Sequence, residues 1–133
     1  MASSPQLPIR LIALDIDGTI IGDDGIVGAR TRAAIRAAME RDIAVSLVTG
    51  RMVSSAMRFA RDLGLSQPIV GYQGGLIRAM PDPGSPNLGR LLMHTAIPAE
   101  AARQIVGWTR EHGSPAPSLL PLLALPPVAG HRA

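Results

Sequence analysis

Short apolar runs alternate with amphipathic stretches along the first half of the chain. Three runs rich in aliphatic residues predict buried parallel strands; they are residues 9–14 (IRLIAL), 43–48 (IAVSLV) and 69–72 (IVGY). Between them, residues 30–41 and 52–63 have apolar side chains at helical spacing, and Gly64 is placed to end the second helix. This alternation predicts an α/β fold with an open, Rossmann-like parallel sheet, whose ligands bind at the carboxyl ends of the strands.

The alternation breaks at residues 80–89 (MPDPGSPNLG), where three prolines and two glycines predict an exposed linker or a long hairpin loop. Residues 90–96 then have the pattern of a strand, and residues 98–112 have that of a helix ended by Gly113. The last twenty residues, 114–133, contain five of the twelve prolines and no acidic residue. Because they follow neither a helical nor an alternating period, they predict an irregular tail rich in proline and leucine.

Composition narrows the possible partners. The chain carries 13 basic and 10 acidic side chains, a net charge of 13 − 10 = +3, and every basic residue is Arg. Aromatic residues, at 2%, are too few for the stacking surfaces of single-strand nucleic-acid binders, and the absence of Cys excludes disulfides and a Cys nucleophile. The sequence shows neither a signal peptide nor an apolar stretch of about 20 residues. We therefore predict a cytoplasmic protein without a nucleic-acid or membrane partner.

Two carboxylates follow the first predicted strand, in the segment DIDGT at residues 15–19. Residues i and i+2 of an extended segment point to the same side, so Asp15 and Asp17 are expected to share one site. Such a pair repels itself unless a cation neutralises it, and Mg²⁺ prefers oxygen ligands of this kind. One carboxylate would then attack phosphorus while the other transfers a proton. The alternative is an acidic turn or helix cap without chemistry.

A second polar loop follows the second predicted strand. Thr49, Gly50 and Arg51 place a hydroxyl and backbone N–H groups at a helix start, where an anion can bind. Alone, this segment is more typical of a Thr cap followed by a glycine turn. Beside the carboxylate pair, it predicts a phosphoryl-transfer site. Gln73, after the third predicted strand, either orients substrate or water or is a polar turn residue.

The segments LIALDIDGTI (11–20), SLVTGR (46–51) and PIVGYQGGLI (68–77) together resemble the haloacid dehalogenase (HAD) superfamily, specifically its Cof-type phosphatases. The resemblance extends over about residues 9–113, and DIDGT is its most specific part. The family usually has Asn-Gly where this chain has Gln73 and Gly74.

The resemblance implies a Mg²⁺-dependent phosphatase that acts on small phosphorylated metabolites through an aspartyl-phosphate. Asp15 corresponds to the nucleophile and Asp17 to the general acid/base. Mg²⁺ would be bound by the Asp15 carboxylate and the Asp17 backbone carbonyl. Phosphate would be bound by the Ile16 amide, Thr49 and Gly50.

Other parts of the family pattern are missing from this sequence. Family members insert an α/β cap and then return to the core to supply a Lys and a late acidic pair. This chain has no Lys, and its only acidic residues after Asp82 are Glu100 and Glu111. We therefore expect a chain truncated, or shifted in reading frame, after about residue 113, with a crippled active site. The expected organisation is an incomplete HAD-like core (1–79), the start of a cap (80–113) and the irregular tail (114–133).

Two other interpretations stay open. The chain is an inactive fragment, or a module that binds phosphate or a partner protein. Alternatively, it is a receiver-type phosphoacceptor domain, which also places acidic residues and a Thr at parallel strand ends. The absence of Lys disfavours the receiver, because such domains use a Lys beside the phosphoaspartate. The sequence gives no prediction of oligomeric state.

Overall fold

The computed structural model describes residues 8–113. The elements in chain order are β1 (Leu11–Leu14), α1 (Ala29–Met39), β2 (Ala44–Leu47), α2 (Val53–Asp62), β3 (Ile69–Gly71), β4 (Leu76–Arg78), β5 (Leu91–His94) and α3 (Ala99–Glu111). The predicted tail at 114–133 lies outside the described residues. The chain divides into two compact units, Met1–Leu92 and Met93–Ala133, and each is described by itself.

The first unit contains the parallel strands that the sequence predicts. β1 pairs with β2 in parallel, with Leu11 opposite Ala44 and Leu14 opposite Leu47. Directly after β2, Val48 forms a single parallel bridge with Val70 of β3, so β3 lies beside the end of β2 in the same direction. The α/β fold class with a parallel sheet is therefore confirmed.

The strand β4 was not predicted. The third apolar run ends in a short 3₁₀ turn, Tyr72–Gly74, and the chain then reverses so that β3 and β4 pair antiparallel, with Ile69 opposite Arg78. A strand of three residues directly after two glycines gives too short a pattern to be recognised from sequence. β5 lies next to β4, so this sheet has the order β3-β4-β5.

The core of the first unit surrounds β2 and α2. Leu47 of β2 is fully buried, and α2 buries five residues, Val53, Ala56, Met57, Phe59 and Ala60. The prediction that the first strand is buried is wrong: Leu11 is 56% exposed and Ile9 just before β1 is 70% exposed. Within residues 8–113, only β2 pairs with β1, so β1 is an edge strand whose outer side is uncovered.

The predicted loop at residues 80–89 connects β4 to β5. Nη2 of Arg61, on α2, donates hydrogen bonds to the carbonyl oxygens of Ser85 (2.9 Å) and Asn87 (2.8 Å). At the end of the loop, Gly89 has φ +75°, and a Cβ there would collide with the carbonyl oxygen of Ala79. The loop thus returns through a position that only glycine can occupy.

The second unit contains α3. Pro98 is its N-cap, and Glu100 in its first turn accepts hydrogen bonds from Arg103 (2.9 Å) and Gln104 (3.2 Å). Gly113 follows the helix with φ +64°, as expected for a glycine stop. None of the helices within residues 8–113 is long and apolar enough to cross a membrane.

Candidate active site

A tight turn presents the two predicted carboxylates at the end of β1. The Ile16 carbonyl oxygen accepts hydrogen bonds from three successive N–H groups, those of residues 19–21, at 3.1 to 3.3 Å. The Ile16 side chain is fully buried and anchors this turn in the core. Asp15 and Asp17, on either side of it, are exposed. The alternation of the segment thus places one apolar side chain inward and both carboxylates outward.

The loop after β2 is more deeply set. Thr49 is only 4% exposed, its N–H donates to the Val70 carbonyl at 3.0 Å, and its Oγ1 accepts from the Arg51 N–H at 3.2 Å. The N-cap of α2 is Met52, so the Thr49 hydroxyl bonds ahead of the helix and does not cap it. The interpretation of Thr49 as a helix cap is therefore wrong.

One cavity of about 620 Å³ joins these loops. Its lining residues come from the turn after β1, the loop after β2 and the turn after β3; they are Asp15, Asp17, Val48, Thr49, Gly50, Arg51, Gln73 and Gly74. The structure thus brings together four of the five residues selected from the sequence. The fifth, Ile16, does not line the cavity, because its side chain is buried beneath the turn.

An ion pair connects the two loops. Arg51 donates from Nε to Oδ2 of Asp17 (2.7 Å) and from Nη2 to Oδ1 (2.5 Å), so the carboxylate is held by two parallel hydrogen bonds. These bonds hold the pKa of Asp17 below its ordinary value, and the same bonds raise the pKa of Arg51. Asp17 is therefore ionised at neutral pH in this arrangement. The Arg51 guanidinium also lies 5.5 Å from the centre of the Phe59 ring.

The role of Arg51 as the partner of Asp17 was missed from the sequence, because the two residues are 34 positions apart. One signal was available. Arg51 is the only cation in the three loops that the parallel strands bring to one edge, and two carboxylates at that edge require compensation.

The turn after β3 has a strained backbone. Tyr72 (φ 52°) and Gln73 (φ 54°) both lie in the left-handed region, which costs an L-residue about 1–2 kcal/mol. Hydrogen bonds hold the turn against the loop after β2: Tyr72 N–H donates to the Arg51 carbonyl (3.0 Å) and Gln73 N–H to the Thr49 carbonyl (3.3 Å). Burial raises the pKa of the Tyr72 hydroxyl, which is therefore neutral.

The side chain of Gln73 lies against Gly50. Its Nε2 is 2.5 Å from the position that a Cβ on residue 50 would occupy. Glycine at residue 50 thus leaves room for a carboxamide at the cavity wall.

The oxygen atoms at the end of β1 suit part of a Mg²⁺ ligand set. The exposed Asp15 carboxylate and the Asp17 backbone carbonyl are hard oxygen donors of the type that Mg²⁺ binds together with water and phosphate. The Asp17 side chain is already paired with Arg51. Within the described residues there is no group of three or more His, Cys, Asp or Glu side chains that could hold a metal ion.

Comparison with known proteins identifies the class. The model of the haloacid dehalogenase-like hydrolase family matches residues 12–120, so the chain belongs to this family and the resemblance seen in the sequence is confirmed. The chain is 31% identical over 96 residues to the 5-amino-6-(5-phospho-D-ribitylamino)uracil phosphatase YitU of Bacillus subtilis, covering 72% of this chain and 34% of YitU. It is 33% identical over 97 residues to the HMP-PP phosphatase of Serratia proteamaculans, covering 73% of this chain and 33% of the relative.

Solved structures agree on the fold. A haloacid dehalogenase-like hydrolase from B. subtilis superposes with a TM-score of 0.66 at 28% identity, over 78% of this chain and 34% of that one. A haloacid dehalogenase-like hydrolase from Bacteroides thetaiotaomicron gives a TM-score of 0.64 at 22% identity, over 80% and 39% of the two chains. This chain spans about a third of the length of the curated relatives that it matches.

Proposed function

We propose that the site takes part in Mg²⁺-dependent hydrolysis of small phosphate monoesters through an aspartyl-phosphate on Asp15. The observation that carries this proposal is the shared cavity, in which Asp15 and Asp17 face Thr49 and Gly50 from adjacent parallel strands. The two curated relatives described above are named as phosphatases of phosphorylated small molecules, which favours the same class of substrate.

The proposed reaction has two balanced steps. The Asp15 carboxylate attacks phosphorus, the bond from phosphorus to the leaving oxygen breaks, and Asp17 gives that oxygen a proton. Water then attacks the phosphorus of the aspartyl-phosphate and gives a proton to Asp17. Inorganic phosphate leaves, and the Asp15 carboxylate is restored.

Before Asp17 can act as the acid, its carboxylate has to leave the ion pair with Arg51 and bind a proton. In the structure both of its oxygens accept hydrogen bonds from Arg51, which lowers its pKa. An incoming phosphoryl group is a competing anion for the same guanidinium. Transfer of Arg51 from Asp17 to the substrate would therefore free Asp17 when substrate is present.

The remaining groups neutralise charge. We assign phosphate binding to the Thr49 hydroxyl, the Gly50 amide and the Ile16 amide, and Mg²⁺ binding to the Asp15 carboxylate and the Asp17 carbonyl. A bound Mg²⁺ would offset the negative charge of the phosphoryl group. Arg51 supplies a further positive charge from the chain itself.

The domain boundaries and the location in the cell belong to the same proposal. Residues 1–79 would form part of the core and residues 80–113 the start of a cap. The protein would act in the cytoplasm.

The test is phosphorylation and turnover with Asp15→Asn. The 133-residue chain is incubated with Mg²⁺ and acetyl phosphate, and mass spectrometry locates the phosphoryl group while released phosphate is measured. We expect wild-type protein to label at Asp15 and Asp15→Asn to lose labelling and release by about a thousandfold or more. Asp23→Asn, an exposed carboxylate in the next turn, is the matched control and should behave as wild type.

A second candidate is a module that binds phosphate without turnover. The observation that favours it is the Arg51 pair, which keeps Asp17 ionised. Stable labelling of wild-type protein without multiple turnover would support a phosphoacceptor, and no labelling with intact phosphate binding would support the binding module. Either result, or turnover that survives Asp15→Asn, would overturn the phosphatase.

A further inference from the structure

We propose that Gln73 is a phosphate-contacting residue, whose carboxamide donates a hydrogen bond to a phosphoryl oxygen bound beside Gly50. This inference rests on the proposed function, because it requires a phosphoryl group in the cavity. It assigns a binding role to a side chain that the mechanism above does not use.

The side chain of Gln73 lies at the wall of the proposed phosphate site. Gln73 lines the same cavity as Asp15, Asp17 and Thr49. Its Nε2 is 2.5 Å from where a Cβ of residue 50 would be, so the carboxamide is directly against the proposed phosphate loop. A neutral N–H donor at this point meets an anion without adding charge.

The backbone at Gln73 is strained. Gln73 has φ 54° and ψ 36°, and Tyr72 before it is also left-handed. Glycine adopts this conformation without a steric penalty, and Asn tolerates it better than Gln does. Strain of this kind persists where the surrounding structure fixes it, and such residues cluster at binding sites.

The turn itself does not need the Gln73 side chain. Its position is fixed by backbone hydrogen bonds, from Tyr72 N–H to the Arg51 carbonyl and from Gln73 N–H to the Thr49 carbonyl. A glycine at residue 73 can make the same backbone bond. A structural role and a binding role therefore predict opposite consequences for Gln73→Gly.

The experiment compares phosphate affinity with thermal stability. Inorganic phosphate is titrated into the full 133-residue chain in the presence of Mg²⁺ and followed by calorimetry, and Tm is measured without phosphate. For Gln73→Gly we expect Tm to rise, because backbone strain is relieved, and Kd for phosphate to rise about tenfold, because one hydrogen bond to a charged group is lost. Gln73→Asn keeps a carboxamide on a shorter side chain, and its phosphate affinity should lie between those of wild type and Gln73→Gly.

The matched control is Asp42→Gly. Asp42 is also left-handed (φ 57°) but follows α1 and does not line the site cavity. Its replacement should raise Tm and leave phosphate affinity unchanged. This control separates a general effect of stability from the loss of a ligand contact.

The outcomes separate the two proposals. Unchanged phosphate affinity in Gln73→Gly would overturn the role of Gln73 and leave the phosphatase standing. Absence of phosphate binding by the wild-type chain would overturn the role of Gln73, and absence of labelling at Asp15 as well would overturn both proposals. A tenfold loss in Gln73→Gly, together with labelling that survives Asp15→Asn, would sustain the Gln73 contact and overturn the proposed nucleophile.

Discussion

Two successive strand-loop-helix segments, β1-α1 and β2-α2, have the same order of elements but differ in how deeply they are buried. In the first, β1 lies at an edge and α1 buries only Ile35. In the second, β2 is buried along three of its four residues and α2 buries five side chains. Strand β2 lies between β1 and the β3-β4 hairpin, whereas β1 has a neighbouring strand on one side only within residues 8–113.

The same contrast applies to the loops of the site. The two carboxylates of the turn after β1 are exposed, and Asp17 is connected to the second loop by the Arg51 ion pair. The loop after β2 is hydrogen-bonded to both β3 and the turn after it. Thr49, which is assigned to phosphate binding, is thus buried, whereas the two carboxylates assigned to chemistry are exposed and follow an edge strand.

Substitution of a leucine in each strand gives the largest expected effect. Leu47 in β2 is fully buried, and Leu47→Ala should lower the free energy of unfolding by about 3 kcal/mol, from lost burial and the cavity left behind. Leu11 in β1 is 56% exposed, and Leu11→Ala should cost less than about 1 kcal/mol. Urea denaturation of both variants measures the difference. Equal losses would show that the outer side of β1 is covered in solution.

Substitution of one threonine in each loop compares how much the two loops contribute to stability. Thr49→Val removes the acceptor of the Arg51 N–H in a buried position and should cost about 1–2 kcal/mol. Thr19→Val, in the exposed carboxylate turn, should change stability by less than about 0.5 kcal/mol. Thermal unfolding of the pair provides the measurement. A larger loss of stability for Thr19→Val than for Thr49→Val would mean that the turn after β1 is held more firmly than the loop after β2.

The smallest effect concerns the ion pair between α1 and α2. Arg32 donates a hydrogen bond to Asp62 at 2.8 Å, which lowers the pKa of that carboxyl. A lowered pKa in the folded state gives stability that is present above the ordinary value and is lost as pH falls through the folded value, below about pH 4.

Asp62→Asn should therefore be slightly less stable than wild type at neutral pH, and the two should converge in acid. The stability curve of wild type against pH should be the steeper one below about pH 4. Chemical denaturation at a series of pH values gives both curves. Parallel curves would mean that the ion pair does not contribute in solution.

Much of the fold could be predicted from local pattern. The predicted bounds of α1 (30–41) and α2 (52–63) agree with the observed helices to within one or two residues. The agreement is close because apolar spacing and the glycine stop after α2 are local signals. The meeting of Asp15 with Thr49 could also be predicted, since neighbouring parallel strands end at the same edge. The exposure of β1 could not be predicted, because an apolar run carries no information about what packs against it.

The missed features depend on contacts between distant residues. The pairing of Arg51 with Asp17 depends on the reach of a long side chain across the cavity. The left-handed backbone at Gln73 depends on hydrogen bonds to the loop after β2, and no local preference of Gln predicts it. Such features appear only when the elements are assembled.

The loop between β4 and β5 has a consequence for how this sequence can change over time. The Ala79 carbonyl fills the space that any side chain at residue 89 would need. Selection for a folded chain alone would therefore retain Gly89, whereas under the proposed function Asp15 would be retained only by selection for catalysis. If the proposed activity were lost in a lineage, we would expect Gly89 to persist longer than Asp15.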